Sequence, residues 1–270
     1  MILASASLAT VLLSAAAAVA YAVPAAAASR LNLSASRGAL LTAWLLHGTL
    51  LCWGLLFAST PRFGFAPALS VTAWLVLTVY AVESHVFPQL RARWALAGFG
   101  ALAVLLALLF PGTPMHETAS PWLPVHGALG FASYGLFAAA VVHAWLMRRT
   151  ERAMRHADAS FTGVPLLTLE RLTFRFVQAG FVLLTATLLA GWLFGEALYG
   201  TAAAAWTWNH KTVFSVLSWL TFAVLLLGRA RFGWRGRTAV RVLYAGAGLL
   251  LLAYVGSRFV LEVIIGRGAA

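Results

Sequence analysis

Seven histidines, one lysine and a closely spaced pair of tryptophans are the residues of this 270-residue chain whose types and spacing suggest chemistry. His126 and His210 each stand at the edge of a long apolar run, and His116 lies in the connection that precedes His126. Neutral imidazole is the commonest biological metal ligand and a standard axial ligand to haem iron. Two such rings at one depth on different helices can approach one iron from opposite sides. They serve equally well as interfacial histidines bonded to water or backbone, and the residues alone leave both readings open. Trp206 and Trp208 flank Thr207 immediately before Asn209, His210 and Lys211, with Trp122 in the neighbouring connection. Tryptophans so placed form an aromatic belt at a membrane surface. They also make a flat apolar platform on which a porphyrin can stack while Lys211 or an arginine pairs with its propionates.

His47 stands inside an apolar run, where an ionisable residue is a functional candidate by default, although one helix–helix hydrogen bond is enough to satisfy it. His143 follows His126 by 17 residues, roughly 25 Å along a helix, so the two cannot share one ligand. With His85 it reads as belonging to the opposite interface, and His156 as a residue of a basic connection. Arg258 and Glu262, four apart in the last apolar run, read as a mutually neutralising pair; the alternative has Arg258 hold an anionic group. Cys52 is the only cysteine, so one chain can build neither a disulfide nor a CxxC relay. With seven acidic residues and no HExxH motif, phosphate loop or nucleophile–base constellation, no enzymatic activity is expected.

The elements that must position these residues follow from composition. Hydrophobic residues make up 62% of the chain and charged ones 10%, against about 25% charged in soluble domains. The apolar residues come in long unbroken runs, and a bilayer core needs roughly 20 per helix. The expected fold is therefore all-α, a polytopic membrane bundle of about eight transmembrane helices forming one domain over residues 1–270. The spans are Ile2–Val23, Ala39–Ala58, Ala66–Val82, Trp94–Phe110, Val125–Met147, Phe176–Phe194, Thr212–Leu227 and Val242–Ile265. The net charge of +12 comes almost wholly from arginine. Those arginines lie between the apolar runs, so they speak for topology and anionic lipid headgroups and against nucleic acid. They crowd the first–second, third–fourth, fifth–sixth and seventh–eighth connections, which the positive-inside rule places in the cytoplasm with both termini on the non-cytoplasmic side. Nothing basic precedes Arg30, so the first helix reads as retained and not as a cleaved signal.

The segment from Trp206 to Arg229, WTWNHKTVFSVLSWLTFAVLLLGR, resembles the tryptophan-rich signature of the cytochrome c assembly family, which includes haem-handling proteins with a Trp-x-Trp-Asp-Pro-Lys-Glu type motif. Trp206, Trp208, Lys211 and Trp219 match that signature. VHGALGFASYGLF, from Val125 to Phe137, resembles the family's His-led helix and places its outer histidine at His126. LERLTFR, GWRGR and AYVGSRFVLEV look most like the YpjD-like inner-membrane branch, and the likeness is strongest over residues 111–265. The departures are Asn209 for the motif aspartate, His210 for its proline and Thr212 for its glutamate. Leu227 stands where the family has a histidine late in the seventh helix, and Gly256, Ser257 and Arg258 where another outer histidine is expected.

The resemblance implies a multi-pass protein of the bacterial inner membrane that binds haem b without a covalent bond and assists cytochrome c assembly or a related haem step. The resemblance places one ligand to haem iron at His126, and Trp206, Trp208, Trp219 and Lys211 among the cofactor-binding residues. His210, at a position where the family has no ligand, is the expected second ligand to haem iron by its place at the same interface, and His47 is a further cofactor-binding candidate from its place inside an apolar run. Expected partners are the lipid bilayer and other cytochrome c maturation or membrane proteins. The alternative is a membrane scaffold or regulatory subunit that kept the fold and lost haem binding.

Overall fold

The computed structural model describes residues 7–27, 30–54, 62–86, 93–114, 122–155, 165–195 and 208–264. Eight long helices occupy those residues: α1 (Leu8–Ala26), α2 (Leu33–Cys52), α3 (Phe65–Val86), α4 (Arg93–Leu109), α5 (Leu123–Arg155), α6 (Leu166–Leu193), α7 (His210–Phe232) and α8 (Gly236–Leu251). α8 continues to Ile264 through wider π-type turns. Two short strands, β1 (Arg62–Phe63) and β2 (Thr113–Pro114), pair antiparallel and tie the connection before α3 to the one after α4. α1, α3, α5, α6, α7 and α8 are long and apolar enough to cross a membrane, and the Ala95–Leu109 stretch of α4 is a shorter apolar helix. The chain is thus an all-helical, multi-pass membrane protein, and its helices group into two compact units, residues 1–115 and chiefly residues 116–260.

In the first unit, α1 packs on α2 and α4, and α3 packs on α4. One polar layer runs through all four helices. The Tyr21 hydroxyl of α1 lies 3.2 Å from His47 Nδ1 of α2, and His47 Nε2 lies 2.8 Å from the Ser70 hydroxyl of α3. On its other side the Tyr21 ring abuts Gly100 of α4, where an added Cβ would come within 3.0 Å of it. Lower polarity surrounds this layer: Ala17, Ala43, Ala73, Ala97 and Ala103 are fully buried, and such small residues let helix backbones approach closely. α2 and α3 are also joined by stacked Trp44 and Trp74, whose indoles donate to the Thr78 hydroxyl and the Trp44 carbonyl respectively.

The second unit is built on an equivalent layer of different chemistry. Phe137 of α5 and Phe222 of α7 stack face to face with ring centroids 3.8 Å apart. Gly180 of α6 backs the first ring and Gly246 of α8 backs the second. The Ser218 hydroxyl donates to the Gly246 carbonyl and fixes α7 on α8 at that level. Leu225, Val177, Leu243 and Leu250 extend the core along the helices.

The helices differ from the expected spans chiefly at their polar ends. α5 has 33 residues, about 50 Å at 1.5 Å per residue, longer than the roughly 30 Å hydrocarbon core. Its last two turns carry Arg148, Arg149, Arg152 and Arg155 out of the apolar zone as helix rather than loop. α6 likewise begins at Leu166, well before the expected Phe176, so Arg171 and Arg175 are helical. Charge ended the apolar runs but did not end the helices, because arginine is a good helix former.

Candidate functional site

The site residues that the structure brings together lie at one end of the second unit. His126 is in the first turn of α5, and its ring, half-buried, faces Gly191 near the end of α6. Lys211 is the second residue of α7 and lies within electrostatic reach of His126. Its ammonium sits 5.7 Å from the centre of the Tyr254 ring, and the Arg258 guanidinium sits 5.9 Å from the same centre. Tyr254 also meets Phe131 of α5 edge-on. One end of four helices therefore gathers an imidazole, two cations and a shared aromatic ring.

Local backbone chemistry explains the placement. Asn209 caps α7: its side-chain oxygen accepts from the Thr212 backbone N–H at 3.0 Å and from the Thr212 hydroxyl at 3.1 Å. Asp-Pro-Lys-Glu in the family signature spells cap, first helical position, cationic second position and capping-box partner. Asn209, His210, Lys211 and Thr212 fill the same four positions here, so the departures keep a capped helix start with a cation at its second position. His210 occupies the first helical position and is exposed. On α8, the Tyr134 hydroxyl of α5 donates to the Leu250 carbonyl at 2.7 Å, just where the ladder widens to π-type turns over Leu252–Gly256. A side-chain donor in the helical ladder is one recognised cause of such distortion, and π turns frequently mark functional sites. Tyr254 lies in this widened stretch and Arg258 directly after it.

The other expected residues are placed as follows. Trp208 is exposed beside His210, while Trp206 and His116 lie outside the described residues. Trp219 is a packing residue: its indole donates to the Thr185 hydroxyl at 2.8 Å and its ring stacks on Phe181. His47 belongs to the first unit, is fully buried, and has both ring nitrogens in the hydrogen bonds already described. Leu227 is 60% exposed, so the position of the family's seventh-helix histidine faces away from the core. The His143 Nδ1–H donates to the Ala139 carbonyl of its own helix, against the Phe176 ring. Arg258 has its aromatic partner in Tyr254, and the side chain of Glu262 lies outside the described residues. No three His, Cys, Asp or Glu side chains converge as a metal cluster among the described residues.

The opposite end of the second unit is a structural lock. Glu170 of α6 pairs with Arg229 of α7 and lies 3.6 Å from Arg235 in the turn before α8. Arg229 also packs over the Phe174 ring at 4.2 Å. Gly233 ends α7 in the left-handed region, with φ 62°, which glycine adopts without a Cβ penalty. The turn then folds Trp234 onto Gly228, where a side chain would collide with the indole.

A multi-pass helical membrane protein with an imidazole–cation–aromatic cluster at one helix end is the class that this geometry defines. The sequence profile of the cytochrome c assembly proteins matches residues 33–265. The chain belongs to that family, in its YpjD-like branch, and is a protein of the bacterial inner membrane. It is 33% identical to the inner membrane protein YpjD of Escherichia coli K12 over 199 residues, 73% of each chain. It is 33% identical over 212 residues to a 28.8 kDa protein of Azospirillum brasilense, covering 73% of this chain and 76% of that one. A shorter match, 34% identity over 91 residues, links it to the cytochrome c biogenesis protein CcsA of Prochlorococcus marinus, spanning 34% of this chain and 28% of that protein. No solved structure matches the chain.

Proposed function

We propose that the chain assists cytochrome c assembly, or a related haem step, by holding haem b non-covalently at the His126 end of the second unit. The observation that carries this reading is the cluster of His126 of α5, Lys211 in the first turn of α7, the helix that the family signature opens, and Tyr254 of the continued α8. The donor set fits the group. A haem demands an imidazole for its iron, cations for its carboxylates and apolar or aromatic surface for its ring. Here His126 supplies the first, Lys211 the second, and Phe131, Tyr254 and Trp208 border the same end. His210, next to Lys211 in sequence and exposed, would be the second residue to hold the iron. Trp206 joins Trp208 as platform, whereas Trp219 and His47 serve by packing their own units.

Haem, when bound, would supply the redox-active iron. The chain itself offers binding and orientation, makes no covalent bond and acts as an assembly factor, with other membrane or maturation proteins as its partners. In this reading the His126 end faces the non-cytoplasmic side, where both termini also lie, and the arginine end faces the cytoplasm and its anionic lipids. The test is mutational. His126→Ala is expected to abolish low-spin haem binding by the purified protein, and His210→Ala to convert it to a high-spin form. Unchanged spectra in both variants would refute the ligand assignment and favour the scaffold reading, whose own signature is a stable membrane complex without haem.

A further inference from the structure

We infer that Lys211 and Arg258, set against the one ring of Tyr254, form an oxyanion clamp that binds a carboxylate or phosphate group at this end of the protein. The two cations come from different helices, α7 and the far part of α8, and converge on one aromatic side chain at 5.7 and 5.9 Å. They are close enough to act on each other electrostatically. Among the described residues, which leave out the Glu262 side chain one turn beyond Arg258, no acidic side chain pairs with either cation, whereas Arg155, Arg229 and Arg235 at the opposite end have carboxylate partners. Contact with a ring face gives each cation about 0.5–1 kcal/mol at an exposed site. The two like charges also repel each other. An oxyanion between them offsets that repulsion.

The backbone is arranged to hold the pair. The Asn209 cap fixes the first turn of α7 and so the stem of Lys211. The Tyr134 bond to the Leu250 carbonyl and the π-type turns after it turn Tyr254 and Arg258 toward α7. Arg258 offers a planar fork that binds two oxygens at once, and Lys211 a point charge. The chemistry suits two sources, the carboxylates of a haem or the phosphate of a lipid headgroup. The first rests on the haem reading above; the second does not.

The test uses the full-length protein in nanodiscs. In the first arm, haem and haem dimethyl ester, which lacks free carboxylates, are titrated against the parent protein and against a Lys211→Gln, Arg258→Gln variant. The parent is expected to bind haem about tenfold or more tighter than the ester, the loss expected for charge-assisted contacts, and the variant to bind both alike. In the second arm, phosphatidylglycerol and phosphatidylcholine are compared by lipid retention in native mass spectrometry. If no haem binds, the haem reading fails; preferential retention of phosphatidylglycerol by the parent, lost in the variant, then assigns the clamp to lipid phosphate. Equal binding of haem and ester together with no lipid preference in the parent overturns the clamp. Both comparisons are made first on the parent protein, so a poorly folding variant does not leave the question open.

Discussion

At the scale of single residues, Asn209 shows how a departure from a family signature can preserve its physics. The side chain accepts the Thr212 N–H as an aspartate would, so helix start and Lys211 stay in place. Asn209→Ala is expected to lower stability by about 1 kcal/mol, the usual worth of an N-cap, while Asn209→Asp leaves it unchanged; heating followed by fluorescence-detected size exclusion measures both. His47 is held by Tyr21 and Ser70 with no exposed surface. His47→Phe therefore strands two buried hydroxyls, at about 1–3 kcal/mol each, and is expected to destabilise the first unit without changing the haem spectrum. The sequence made His126, Lys211 and Arg258 visible, because ionisable residues stand out in apolar runs. It did not reveal Tyr254, which meets Lys211 and Phe131 only through the packing of separate helices. Nor could it separate Trp219 from Trp208, since packing on Phe181 is a tertiary fact.

At the scale of elements, each unit is organised by one layer crossing four helices, and glycine supplies the close approach in both. Gly246 meets the Phe222 ring so closely that an added Cβ would lie 2.9 Å from it. Gly246→Leu is expected to separate α7 from α8 and cost about 1–3 kcal/mol or more by overpacking. Its measure is loss of monodisperse protein at a lower temperature than the parent. The Glu170 lock makes a second expectation. Glu170→Ala leaves Arg229 and Arg235 without their shared carboxylate. Because Glu170 is largely buried, the loss should exceed that of an exposed pair such as Arg155 with Glu151. The existence and order of the helices followed from apolar runs, which the bilayer makes unambiguous. Their ends did not: α5 and α6 run on through basic residues that a hydropathy boundary excludes, because helix continuity depends on backbone propensity and on the α5–α6 packing.

For the whole molecule, the distribution of arginine is what the proposed orientation in the membrane rests on. The second unit keeps Arg229, Arg235, Arg237 and Arg241 at the end opposite His126, with the arginine-bearing last turns of α5. In a Cys52→Ala background, Trp208→Cys is expected to react with a membrane-impermeant maleimide in intact spheroplasts, and Arg152→Cys only after permeabilisation. The reverse pattern would invert the proposed topology. Family membership joins the chain to proteins of cytochrome c assembly, and the cluster at His126 is the site proposed for haem. The most direct measurement is the absorption spectrum of the purified protein, oxidised and reduced, after expression with haem supplied. Haem held at His126 gives a Soret band with sharp low-spin bands on reduction, near one haem per chain, lost in His126→Ala. A folded, monodisperse protein with no Soret band would contradict that reading.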